Sequence, residues 1–123
     1  MKIKELTRAE EQLMQILWQL KKGFVKNVME QLAEPKPAYN TVSTIIRILE
    51  TKGFVAHNAF GKSHEYYPII SKEEYQNFAT DKLMTGYFDN SVKHMFSYFV
   101  KKEKIDLKEA DEIMKLIEKL KNK

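Results

Sequence analysis

Five polar side chains that can bind nucleic-acid bases lie within a single stretch of eight residues. An arginine can pair with guanine O6 and N7, and asparagine or threonine can reach adenine, a thymine methyl group or a phosphate. A solvated helix face would also be polar, but such a face is usually richer in Glu and Lys than this stretch. The residue types therefore favour contact with double-stranded DNA, through Asn40, Thr41, Ser43, Thr44 and Arg47.

The other reactive residues form no arrangement that predicts catalysis. Ser43 has no ordered His and Asp around it, and the glycines form no phosphate-cradling loop. His57 and His64 flank a predicted turn and face one another in one register, but a metal site needs more ligands than Glu65 can supply. We therefore interpret both histidines as surface residues of strands, and we expect no enzyme activity, no metal and no cofactor.

The polar stretch lies on one side of a predicted helix that runs from about Tyr39 to Lys52. Apolar residues recur at helical spacing on the other side, where they form a stripe that faces a core. Gly53 supplies a natural left-handed stop directly after the helix. The core-facing stripe consists of Val42, Ile45, Ile46, Leu49 and Gly53.

Two helices are predicted before this segment and a β-hairpin after it. A capping box at Thr7 to Glu10 begins a helix over Arg8 to Lys21, and a second helix follows over Lys26 to Ala33. Strand-like runs cover Phe54 to Ala59 and Ser63 to Pro68. This order is that of a winged helix-turn-helix, in which the third helix can enter a major groove and the hairpin lies over the adjacent backbone.

The predicted hairpin turns at Gly61-Lys62, which places a lysine at its tip. A cation in this position suits a phosphate contact, which adds affinity without sequence information. Lys62 is therefore a further candidate for DNA binding.

The second part of the chain predicts three more helices, over about Lys72 to Thr85, Phe88 to Lys102 and Leu107 to Lys121. About 50 residues are few for a unit that folds alone, yet this part carries a strongly apolar face. A second copy of the chain is the simplest partner for such a face. The candidate dimerisation residues are Phe88, Val92, Met95, Phe96, Phe99, Ile113, Leu116, Ile117 and Leu120. We thus expect a mainly α protein, with a winged helix-turn-helix over residues 1–70 and a helical dimerisation domain over residues 71–123.

Composition permits a nucleic-acid partner without establishing one. The 21 basic and 17 acidic side chains give a net charge of +4. No run approaches the roughly 20 apolar residues of a membrane span, the N-terminus lacks the apolar stretch of a signal peptide, and cysteine is absent. These features predict a cytoplasmic protein without membrane insertion.

Five stretches of the chain carry a combined resemblance to a known family, and they are Leu6 to Glu10, Ile16 to Trp18, Tyr39 to Thr44, Leu49 to Val55 and Tyr66 to Pro68. Together they make the sequence similar to the BlaI/MecI penicillinase-repressor family of bacterial transcription factors. The resemblance implies a dimeric repressor with an N-terminal winged helix and a C-terminal dimerisation unit, which binds an inverted-repeat operator of resistance or cell-envelope stress genes. A winged-helix adaptor that binds protein is the alternative, and it would show no salt-dependent binding to duplex DNA.

The resemblance also implies how repression ends. In β-lactam-responsive members a membrane sensor-protease drives cleavage in the dimerisation unit, and the corresponding bond here lies between Tyr98 and Phe99. This sequence departs from the family pattern at Tyr98, where well-known members have Asn, and at Ile48, where many relatives have Arg. It also lacks the C-terminal cysteine pair of copper-responsive relatives.

Overall fold

The computed structural model describes residues 2–121, which form six helices and one antiparallel hairpin. The chain divides into two compact units, Met1–Ala79 and Thr80–Lys123. The mainly helical winged-helix architecture confirms the predicted fold class. The elements are α1 (Arg8–Leu20), α2 (Val25–Gln31), α3 (Tyr39–Thr51), β1 (Val55–Phe60), β2 (Ser63–Pro68), α4 (Lys72–Tyr87), α5 (Val92–Lys101) and α6 (Leu107–Lys121).

The start of α1 has the predicted capping box. The Thr7 hydroxyl accepts a hydrogen bond from the Glu10 amide at 3.2 Å, and the Glu10 carboxylate accepts one from the Thr7 amide at 2.8 Å. Two amides that the first helical turn leaves without partners are thereby satisfied. The same reciprocal pair joins Ser71 and Glu74 at the start of α4.

The core of the first unit forms where α1, α2 and α3 turn their apolar faces toward one another. The α3 residues Val42, Ile46 and Leu49 are fully buried, as the predicted stripe requires. Phe54, directly after α3, is also fully buried, and its ring meets Tyr75 at 5.6 Å.

The first two turns of α4 belong to the first unit. Tyr75 is buried, and its hydroxyl accepts a hydrogen bond from the Leu6 amide at 3.0 Å. Phe78 packs against the same core, and the half-buried Trp18 donates its indole N–H to the Ile70 carbonyl at 2.9 Å. The packing of the first unit thus continues to residue 79. The functional boundary between residues 70 and 71 stays a prediction.

The hairpin, which we call the wing (residues 55–68), is built around a two-residue turn. Its register pairs Val55 with Pro68 at the base and Phe60 with Ser63 at the tip. Gly61 in the turn has a φ of +63°, a value that glycine adopts without the steric cost of a Cβ atom. Gly53 has a φ of +84°, so it ends α3 as predicted and directs the chain into β1.

The second unit differs from the prediction at one helix boundary. The apolar periodicity predicted a helix from Phe88, but α4 continues to Tyr87 and α5 begins only at Val92. Asp89 and Asn90 have positive φ values of 51° and 57°, which Asp and Asn tolerate better than most residues and which interrupt a helix. Ser91 then caps α5, because its hydroxyl accepts the His94 amide at 3.1 Å.

The predicted dimerisation residues differ in their burial within the second unit. Phe88 is buried, and its ring meets those of His94, Tyr98 and Phe99 at 5.5, 5.6 and 6.4 Å. The half-buried members of the predicted dimerisation set are Met95, Phe96, Phe99 and Ile113, and the exposed ones are Val92, Leu116, Ile117 and Leu120.

None of the helices in the described part of the chain combines the length and the apolar character that a membrane crossing requires.

Candidate nucleic-acid interface

The outer face of α3 carries the predicted contact residues because its apolar side is fixed in the core. Asn40, Thr41, Thr44 and Arg47 are exposed, and Ser43 is half-buried. We call these five residues the reading face. It lies opposite the buried stripe, as expected for a helix whose polar side is left for a partner.

Three side chains of α3 form hydrogen bonds with carbonyls of the preceding turn. The Thr44 hydroxyl donates to the Asn40 carbonyl at 2.8 Å, and the Thr51 hydroxyl donates to the Arg47 carbonyl at 3.1 Å. Arg47 Nε donates to the Ser43 carbonyl at 3.5 Å. The terminal nitrogens of Arg47 are then the pair that suits a forked contact with guanine O6 and N7.

A groove of about 660 Å³ separates α3 from the wing and the start of α2. Its two lysines, Lys26 and Lys62, are exposed, and Ser43 also lines it. The structure thus brings Lys62 and Ser43 to one groove, while the other four reading-face candidates lie outside its lining. The full lining consists of Phe24, Val25, Lys26, Tyr39, Ser43, Phe60, Lys62, Ser63, His64 and Tyr66.

The groove also contains residues that sequence patterns did not mark as functional, namely Lys26, Tyr39 and the aromatic pair that holds the tip of the wing. Phe24 and Phe60 meet edge to face with centroids 5.9 Å apart. Lys26 and Tyr39 each stand in the first turn of a predicted helix, so their helix positions were visible in the sequence. Their place in a common groove was not, because it depends on how the wing folds back.

The wing is also tied through its backbone to Gly23, in the connection between α1 and α2. Gly23 and Tyr66 exchange two amide-to-carbonyl hydrogen bonds, of 2.9 Å and 2.8 Å. Burial raises the pKa of the Tyr66 hydroxyl, Glu50 raises it further, and Arg47 opposes both effects. Tyr66 is therefore a neutral hydrogen-bonding group on the groove wall at neutral pH.

The two wing histidines lie on one side of the hairpin. The register pairs His57 with Tyr66 and His64 with Ala59, so the histidines are diagonal neighbours rather than directly opposed. Their rings nevertheless stack, with centroids 4.0 Å apart, and His57 Nδ1 lies 2.6 Å from a carboxylate oxygen of Glu50. Within residues 2–121, no group of three or more His, Cys, Asp or Glu residues is suitably placed to hold a metal ion.

A charged pair fixes the end of α3 against the start of α1. Lys52 Nζ lies 2.6 Å from Glu10 Oε1, the same carboxylate that accepts the capping bond from Thr7. Burial acts to raise the pKa of Glu10, but hydrogen bonds from Lys52 and Thr7 outweigh burial and hold the pKa below its ordinary value. The carboxylate is thus stabilised in its charged form, and it joins α1 to the helix that bears the reading face.

Comparison with known proteins relates this geometry to DNA binding. The penicillinase repressor family model matches residues 6–119. The methicillin resistance regulatory protein MecI of Staphylococcus aureus strain N315 is 24% identical over 116 residues, which cover 94% of each chain.

Two solved structures resemble the fold. The DNA-binding domain of the repressor BlaI has a TM-score of 0.53 and 25% identity, covering 60% of this chain and 92% of that one. The monomeric form of Bacillus licheniformis BlaI, in complex with the blaP half-operator, has a TM-score of 0.50, with the same identity and coverage. The structural likeness thus extends to a protein in complex with a half-operator.

Proposed function

Because the chain belongs to the penicillinase repressor family, we propose that it is a transcriptional repressor that binds double-stranded operator DNA as a homodimer. The observation that carries the proposal is the exposed polar face of α3, which stands beside a groove containing Lys26 and Lys62. An α-helix fits into the major groove of DNA, where its hydrogen-bonding side chains can reach base edges. Cations on either side of the helix suit contacts with phosphates. We assign the protein to control of resistance or cell-envelope stress genes, in keeping with its family.

Each residue of the interface has a role on this proposal. Arg47 pairs with a guanine, and Asn40 and Thr44 reach neighbouring base edges. Lys62 binds a phosphate and so fixes the position of the wing on the duplex. Thr41 and Ser43 carry the two remaining hydroxyl groups of the reading face, and each suits contact with a base or a phosphate.

The operator is an inverted repeat because a homodimer presents two identical heads related by a twofold axis. In the Bacillus licheniformis relative a monomer forms a complex with half of an operator. We therefore propose that each winged-helix head of this protein reads one half-site. Joining two heads raises the local concentration of the second once the first has bound, which strengthens binding without a new contact.

The second unit supplies the dimer interface. Its aliphatic side chains are exposed in the single chain, among them Val92 at 67%, Leu116 at 57% and Leu120 at 59%. Apolar patches of this kind on a small protein mark an interaction surface. A twofold interface would cover these residues with the same residues of a second copy.

Release of repression by proteolysis is the regulatory part of the proposal. The Tyr98–Phe99 bond lies within α5, in the unit that joins the two heads. A membrane sensor-protease that cuts this bond would separate the heads and reduce operator occupancy without changing any DNA contact.

Selection of duplexes from a random library by the full chain tests the function. We expect an enriched inverted repeat whose half-site centres lie about 10 base pairs or a multiple of 10 apart. The binding constant for this duplex should fall steeply as salt rises, because phosphate contacts release counterions. Sedimentation at micromolar concentration should give a dimer.

A double variant on α6 tests the proposed dimer interface, and a variant in the first unit serves as its control. Leu116→Asp with Ile117→Asp should sediment as a monomer and bind the selected repeat about a hundredfold more weakly. Ile69→Asp, which changes an exposed isoleucine of the first unit, should stay dimeric. The repressor function would be contradicted if no sequence were enriched and the affinity for duplex DNA did not change with salt concentration. That result would favour a protein-binding adaptor.

A further inference from the structure

Ile48 is an aliphatic side chain left exposed on the polar side of α3. Its exposed fraction is 41%, whereas Ile46 two residues earlier is fully buried. Ile48 follows Thr44 by four residues and precedes Thr51 by three, so these residues form one stripe along the helix. We call Thr44, Ile48 and Thr51 the outer stripe.

The hydroxyl groups of the two threonines in the outer stripe already donate hydrogen bonds within α3. Thr44 donates to the Asn40 carbonyl at 2.8 Å, and Thr51 donates to the Arg47 carbonyl at 3.1 Å. Each side chain can then offer a partner only its methyl group and the lone pairs of its oxygen. The outer stripe therefore presents aliphatic carbon centred on Ile48, beside the cationic Arg47.

We propose that Ile48 is a specificity-determining residue that contacts the 5-methyl group of a thymine in each half-site. This inference rests on the proposed DNA-binding function. In the major groove the thymine methyl is the apolar group that a base pair presents, and aliphatic side chains recognise it by contact. A phosphate cannot be the partner of Ile48, because the side chain has no donor and would only remove water from the charge.

The neighbouring residue reads a different feature of the same half-site. Arg47 and Ile48 point about 100° apart on the helix, so they do not compete for one base pair. The guanidinium selects guanine acceptors and the isoleucine selects a methyl group. The half-site that this helix prefers thus contains a guanine and a thymine as separate determinants.

Deoxyuridine substitution tests the inference directly, because deoxyuridine differs from thymidine only by the missing methyl group. The duplex selected by the wild-type full chain is made with each thymine replaced singly by deoxyuridine. At one thymine of each half-site the wild type should lose roughly fourfold in affinity, the value of one buried methyl group. Ile48→Ala should bind the original duplex more weakly and lose nothing further at that thymine.

Two more variants separate methyl recognition from a general effect. Ile48→Val keeps a branched side chain at the position and should retain most of the deoxyuridine penalty. Ile69→Ala removes an exposed isoleucine outside α3, with an exposed fraction of 49%, and should behave as wild type. Because Ile48 and Ile69 are both exposed, neither change should disturb the core.

The outcomes distinguish the inference from the function on which it rests. If each deoxyuridine substitution lowers the affinity of Ile48→Ala by the same factor as that of the wild type, the inference is overturned while sequence-specific binding stands. It is equally overturned if Ile48→Ala weakens all duplexes by one common factor. If the wild type selects no sequence at all, the proposed function fails and the inference fails with it.

Discussion

Arg47 is the side chain of the reading face with the strongest capacity to discriminate between bases. We expect Arg47→Ala to weaken binding to the selected operator by about 1–3 kcal/mol and to reduce discrimination at one base pair. Parallel titrations of the selected and scrambled duplexes measure both effects. Arg8→Ala removes an exposed arginine at the start of α1 and serves as the control of equal charge. Unchanged discrimination in Arg47→Ala would show that the reading face is assigned wrongly.

Glu10 makes the stability of the winged-helix unit depend on acid pH. Its pKa in the folded protein lies below the ordinary value of 4.5, so its contribution to stability is complete above that value and is lost as the pH falls through the folded pKa. We expect Glu10→Gln to lower the free energy of unfolding at pH 7 by about 1–3 kcal/mol.

Urea unfolding at a series of pH values from 7 to 3 measures this contribution. The difference between the wild type and Glu10→Gln should shrink as the pH falls through the lowered pKa of Glu10, because the wild-type carboxylate then becomes protonated. Glu11→Gln changes the next residue, which is exposed, and should leave the free energy of unfolding nearly unchanged. A difference that stays constant across this pH range would contradict the assigned role of Glu10.

The sequence revealed one of the two partners that Glu10 has in the structure. Thr7 lies three residues away, so their capping box was readable as a local motif. Lys52 lies 42 residues away, and nothing in its neighbourhood marks it as a partner. Local hydrogen-bonding patterns could thus be predicted, whereas a pairing formed by packing two helices could not.

At the scale of elements, helical periodicity predicted α3 well and misplaced the start of α5. Both segments have regular apolar spacing, but the positive φ values of Asp89 and Asn90 break the second pattern. Periodicity reports which side chains could share a face, and it does not report whether the backbone between them stays helical.

The wing depends on contacts that sequence order does not show. The Gly23–Tyr66 backbone bonds and the Phe24–Phe60 contact hold it beside the start of α2. The hairpin and its tip lysine could be predicted from the sequence, because the turn residues are local. The groove could not be predicted, since it exists only once the wing has folded against α2 and α3.

The wing should add affinity without adding specificity. We expect Lys62→Ala to weaken binding to selected and scrambled duplexes by the same factor, and to reduce the slope of log affinity against log salt by about 1. Fluorescence anisotropy at four or more salt concentrations measures the slope. Lys108→Ala, in the first turn of α6, should leave it unchanged. A loss confined to the selected duplex would instead make Lys62 a base-reading residue.

In the whole molecule, the proposed roles of recognition and assembly fall in different compact units. The reading face, the groove and the Glu10–Lys52 pair all belong to residues up to 79, while the exposed apolar residues of α5 and α6 belong to the second unit. If the protein acts as the proposed dimer, a change confined to the second unit alters operator occupancy by separating the two heads, with the DNA contacts intact.

The Tyr98–Phe99 bond is protected by its surroundings in the intact second unit. Tyr98 is 41% exposed, but its ring meets that of Phe99 at 5.8 Å, and both rings pack near Phe88. A protease needs an extended segment, so α5 must open locally before this bond can enter an active site. Cleavage should therefore require an activated protease and be negligible in uninduced cells.

Immunoblots of the protein in its own cells, before and after β-lactam exposure, test release by cleavage. We expect the full-length band to give way to a shorter one as repression ends, because a cut in α5 removes the joint between the two heads. Phe99→Ala alters the proposed cleavage site and should slow the loss of the full-length band. Lys93→Ala, which changes an exposed residue of the same helix outside the dimerisation set, is the control and should be cut as readily as the wild type. Loss of repression while the full-length band persists would show that a different signal, such as a ligand or partner at the second unit, separates the heads.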